Sequence, residues 1–158
     1  MDILEFAINM ELEGNKFYAQ QAEANKGGGL EIVFAGLAED ELKHAELIKQ
    51  KKSGGEFSSK KVKKSDVENL FSDKDQKISD INPTPEQLDA YRFALDKEQE
   101  SIDLYAELSE KSEGDKELFE FLIGEEEKHF KLISEMVELL KRPKEWVEDA
   151  EFGVREDY

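Results

Sequence analysis

Leu37-Ala38-Glu39-Asp40-Glu41-Leu42-Lys43-His44-Ala45-Glu46-Leu47-Ile48 and Leu122-Ile123-Gly124-Glu125-Glu126-Glu127-Lys128-His129-Phe130-Lys131-Leu132-Ile133 are one phrase written twice. Glu41 falls on Glu126 and His44 on His129, both at an offset of 85. In each copy a histidine follows a glutamate by three residues. Leu37, Glu41, His44 and Ile48 step by four, three and four, as do Leu122, Glu126, His129 and Ile133. That step is the period of one helix face. Carboxylate and imidazole therefore point the same way as the greasy side chains.

A second pair of segments repeats upstream of each phrase. Aligning Glu11 with Glu98 places Tyr18 on Tyr105 and Ala19 on Ala106, at an offset of 87. The buried stripes read Leu4, Ala7, Glu11, Gly14, Tyr18 in the first segment and Phe34, Leu37, Glu41, His44, Ile48 in the second. The third reads Tyr91, Ala94, Glu98, Ser101, Tyr105, and the fourth Phe119, Leu122, Glu126, His129, Ile133, Met136. The spacing predicts four long helices. Gly27-Gly28-Gly29 separates the first two, and Glu113-Gly114-Asp115 the last two. Short turns make antiparallel neighbours. Thr84, Pro85 and Gln87 form a capping-box start for the third helix. The fourth is expected to end near Arg142-Pro143, because proline breaks the backbone hydrogen-bond ladder.

The expected fold is all-α: two antiparallel hairpins over residues 1–141, joined by a crossover linker at 53–82, with a tail at 142–158 carrying a short helix. A further short helix is expected around Asp66–Phe71. Trp146 and Phe152 in the tail read as packing or dimer-contact residues. Lys60, Lys61, Lys63 and Lys64 read as a solvated cluster.

Composition removes several functions. The 158 residues carry a formal charge of −17, which disfavours nucleic acid and anionic membranes as partners. No apolar run reaches the roughly 18 residues that span a bilayer, and no leader pattern opens the chain, so the expected location is cytoplasmic. Cysteine is absent, which excludes thiolate zinc, iron–sulfur and FeS4 centres within these residues.

Four glutamates facing one apolar core would repel each other and be costly to desolvate. Two divalent cations balance four carboxylates with both histidines neutral. Carboxylate with imidazole suits iron, manganese or zinc better than calcium or magnesium. Helical bundles build such sites from one glutamate on each of two helices and one Glu-x-x-His on each of the others. The candidate ligands are Glu11, Glu41, His44, Glu98, Glu126 and His129. Glu13, Glu100 and Glu127 sit beside them but off the stripe, and read as solvated. Tyr18 and Tyr105 lie two turns beyond Glu11 and Glu98 on the same faces, where their hydroxyls can hold a ligand carboxylate. Gly14 and Ser101 leave room beside the metals or permit close helix packing; the sequence does not separate these.

At these residues the chain resembles the rubrerythrin-like branch of the ferritin-like superfamily. The resemblance rests on Glu11-x-x-Gly14-x-x-Phe17-Tyr18, Glu41-x-x-His44-Ala45, Glu98 to Tyr105 and Glu126-x-x-His129, and covers about residues 1–141. It implies a ferritin-like bundle with a di-iron centre, Glu41 and Glu126 bridging, Glu11 and Glu98 terminal. It implies an oxidoreductase that reduces peroxide or dioxygen, re-reduced by an external electron donor, and a homodimer. Zinc or manganese can replace iron in purified protein. Two departures stand out. There is no cysteine for the rubredoxin module these proteins usually carry. Ser101 also stands where they carry an extra glutamate. The alternatives are an iron-binding or storage protein with ferroxidase-type activity, and a zinc-bound structural bundle.

Overall fold

A computed structural model describes residues 2–67, 69 and 83–156, with side chains up to Lys141. Helix α1 spans Ile3–Ala24, α2 Gly29–Lys52, α3 Pro85–Lys111 and α4 Lys116–Glu156. No strand occurs among the described residues. The helices pack as two hairpins, α1 against α2 and α3 against α4, and α2 also touches α4.

Local chemistry sets the helix starts. The Asp2 carboxylate accepts from the Glu5 N–H at 2.8 Å and caps α1. At α3 the Thr84 hydroxyl accepts from the Gln87 N–H at 3.1 Å, while the Gln87 side chain accepts from the Thr84 N–H at 2.8 Å. This is the capping box expected from sequence. Gly27 turns the chain between α1 and α2 with φ 89°, a left-handed conformation that favours glycine.

The last helix departs from expectation. It passes through Pro143 and reaches Glu156, rather than ending near Arg142-Pro143 before a separate short helix. Proline deletes one backbone donor and crowds the preceding turn, but a helix can carry that loss without stopping. The side chains of Trp146 and Phe152 lie outside the described set, and the helix expected at 66–71 falls mainly outside the described residues. All four lysines of the 60–64 cluster are exposed.

Two apolar plugs fill the bundle. One gathers Leu30, Val33, Phe34, Tyr91, Ile133 and Met136. The other gathers Ala7, Ile48, Tyr105, Phe119 and Leu122. Along α2 the order is Phe34 and Leu37, then Glu41 and His44, then Ile48, so a polar layer lies between the plugs.

Candidate metal centre

The polar layer contains all six side chains singled out above, and each is buried. They form two overlapping sets. Glu11, Glu41, His44 and Glu126 each bring one donor atom within 4.8 Å of the others, and so do Glu41, Glu98, Glu126 and His129. Glu41 and Glu126 belong to both sets. The pseudo-two-fold of the sequence thus reappears as geometry.

The imidazoles aim the same nitrogen inward. His44 Nδ1 lies 2.8 Å from Glu126 Oε1, 3.4 Å from Glu11 Oε2 and 3.8 Å from Glu41 Oε2. His129 Nδ1 lies 3.3 Å from Glu41 Oε1, 3.4 Å from Glu98 Oε1 and 3.9 Å from Glu126 Oε2. Two ligands held about 2.1 Å from one ion at a right angle sit about 3 Å apart. The nearest contacts have that spacing.

Several of these atoms lack a hydrogen bond: Glu11 Oε2, both nitrogens of His44, Glu98 Oε2 and Glu126 Oε1. His44 Nδ1 and Glu126 Oε1 approach closely but not in hydrogen-bond alignment. A buried polar atom without a partner costs on the order of 1–3 kcal/mol. Atoms that converge on a point without bonding one another are placed as ligands are. The donor set therefore fits a pair of cations.

Without cations, the charges settle unequally. Burial pushes Glu41 and Glu126 well above the usual carboxylate range, and the Glu11 charge beside each adds to it. Burial also raises Glu98, but the adjoining Glu126 carboxyl and the His129 charge outweigh it and bring Glu98 down to about 2. Glu11 is lowered for parallel reasons, against burial, by the adjoining Glu41 carboxyl and by His44. Burial disfavours the charged form of both imidazoles. The neighbouring carboxylates, led by Glu11 for His44 and Glu98 for His129, win and raise both well above 6.5.

The tyrosines bond across the bundle. Tyr18 on α1 donates to Glu98 Oε1 on α3 at 2.5 Å, and Tyr105 on α3 donates to Glu11 Oε1 on α1 at 2.5 Å. Each thus holds the glutamate of the opposite hairpin rather than its own. Burial and the facing carboxylates push both phenols far up, so they remain donors. Glu13, Glu100 and Glu127 are exposed.

Gly14 answers both readings left open for it. A Cβ there would meet Glu41 Cδ at 3.3 Å, so its bareness lets Glu41 pack against α1. It also lines a cavity of about 680 Å3 between α1 and α3, walled by Phe6, Met10, Phe17 and Phe93, that reaches Glu41 and Glu98. Ser101 lines the same cavity and turns its hydroxyl back to the Lys97 carbonyl at 3.1 Å.

Two carboxylates were missed in the sequence. Asp40 Oδ2 lies 2.9 Å from His129 Nε2, and Glu125 Oε1 lies 3.9 Å from His44 Nε2. Each immediately precedes a Glu-x-x-His glutamate and stands behind the histidine of the other hairpin. Their shared offset of 85 was the available signal.

A helical bundle with a buried, doubled glutamate–histidine cluster has the ligand inventory from which carboxylate metal sites are built. The family model for rubrerythrin matches residues 2–137, and the chain belongs to the rubrerythrin family of di-iron carboxylate proteins. No curated protein and no solved structure matches it.

Proposed function

We propose that this protein is a di-iron oxidoreductase that reduces hydrogen peroxide or dioxygen. In this reading Glu41 and Glu126, which belong to both donor sets, would help hold both irons. Glu11 and His44 would complete one position, and Glu98 and His129 the other. The observation that carries the proposal is the pair of four-atom donor sets sharing two carboxylates. Bound ferrous iron would supply one electron per ion, and peroxide needs two electrons and two protons to become two waters.

The chain's own groups support that use. Tyr18 and Tyr105 hold one oxygen of Glu98 and Glu11, leaving the other oxygen free to bind metal. The plugs above and below keep bulk water out and strengthen electrostatics inside. The cavity between α1 and α3 offers a route from the surface to Glu41 and Glu98. Peroxide and dioxygen are uncharged, so an apolar route and a net charge of −17 do not oppose them. An external donor restores the electrons in this scheme. The proposed assembly is a homodimer, favoured by the half-exposed Phe6 and Phe93. A solution mass of many subunits would overturn the dimer.

The test is anaerobic loading with Fe(II) followed by peroxide. The wild type should consume about one peroxide per two irons, and Glu41→Ala should consume far less. Equal consumption by Glu41→Ala would reject the proposal.

A further inference from the structure

Ser65 lies in the crossover between α2 and α3, yet it is only 9% exposed. Its neighbour Val67 is buried in the core with Leu132 and Met136. Three of Ser65's polar groups are engaged. The N–H donates to Glu125 Oε1 at 2.9 Å. The hydroxyl donates to Asp40 Oδ2 in a short hydrogen bond. The carbonyl accepts from Lys128 Nζ at 3.4 Å, and that ammonium also lies 3.3 Å from Glu125 Oε2.

One crossover residue therefore grips both carboxylates that stand behind the histidines. The grip is unequal. Asp40 Oδ2, which takes the Ser65 hydroxyl, is in direct hydrogen-bond reach of His129 Nε2 at 2.9 Å. Glu125 is 3.9 Å from His44 Nε2, and that nitrogen has no hydrogen bond. The sequence repeat makes Asp40 and Glu125 equivalents, but there is one serine for the two of them. A carboxylate fixed behind an imidazole sets which ring nitrogen carries the proton and which way the other points.

We propose that Ser65 is a positioning residue for the metal centre, holding Asp40 so that His129 keeps Nδ1 aimed inward, and making the His129 position more preorganised than the His44 position. The consequence for metal rests on the ligand assignment under Proposed function; the consequence for the imidazole does not. Ser65→Ala removes the hydroxyl, which also accepts from the Val67 N–H at 3.4 Å, and keeps the N–H to Glu125, so of the two histidines the lesion falls on His129. Ser65→Thr restores a hydroxyl.

The first measurement is the water exchange of the imidazole N–H protons by NMR in metal-free protein. The His129 Nε2 proton should be protected in wild type and Ser65→Thr, and exchange at least about tenfold faster in Ser65→Ala, with His44 unchanged. The second is titration with Zn(II) alone as probe. Losing such a supporting bond lowers metal affinity about 10–100-fold. In Ser65→Ala one of two bound zinc ions should weaken by about tenfold, the other should hold, and Ser65→Thr should recover. Unchanged His129 exchange in Ser65→Ala, or equal change at both histidines, overturns the positioning role. Equal weakening of both zinc ions overturns the asymmetry. If wild type binds no zinc pair while His129 exchange responds as expected, the ligand assignment fails and the role of Ser65 stands.

Discussion

Gly14 and Glu41 test the centre at its tightest contact. In Gly14→Ala the new methyl meets Glu41 Cδ at 3.3 Å, so the carboxylate must give by a few tenths of an ångström. Alanine is also the better helix former, by up to about 1 kcal/mol. The variant should therefore melt no lower than wild type when metal-free, yet bind Zn(II) about tenfold more weakly. Thermal melts and metal titration read the two separately, and unchanged affinity would show that Glu41 is not constrained from α1. The six inward residues were legible from periodicity, because a charge on an apolar stripe contradicts the stripe. Asp40 and Glu125 were not. Each lies about 100° around the helix from its ligand neighbour and reads as surface until the crossover covers it. The crossing of Tyr18 to Glu98 was hidden too, since helix spacing gives the face of a residue and not its partner across the bundle.

Each helix has a stop or start that can be tested alone. Thr84→Ala removes the capping oxygen of α3 and should cost about 1 kcal/mol, measured by denaturant unfolding. Phe34→Ala in the plug shared by all four helices should cost about 3–5 kcal/mol in the same assay, because a fully buried ring leaves a void. The first three helices ended close to where the glycine turns and the capping box placed them. The α4 end did not, since Pro143 is a local signal and the helix carries on beyond it.

Protons and metal compete across the whole molecule. In the metal-free centre Glu41, Glu126, His44 and His129 are all raised, so each favours its protonated form. The histidines' contribution to stability is complete below about pH 6.5 and fades as pH rises through their folded values; the raised carboxyls behave alike from about pH 4.5 upward. Glu11 and Glu98 are lowered, so their contribution is present above about pH 4.5 and fades as pH falls. The metal-free protein should therefore melt lower as pH climbs past about 6.5, in calorimetry at fixed ionic strength. Metal affinity should rise over the same range, because bound ligands must be deprotonated. Loading divalent ions should release protons from these raised groups, readable as a buffer-dependent heat. A melting temperature that rises with pH in the absence of metal would contradict this.

The central claim is that α1 to α4 converge on two cations through two shared carboxylates. Diffraction from iron-loaded crystals at the iron absorption edge tests it most directly. The account predicts two anomalous peaks, both within bonding distance of Glu41 and Glu126, one also beside Glu11 and His44 and the other beside Glu98 and His129. A single peak, or iron bound away from these six side chains, would contradict it.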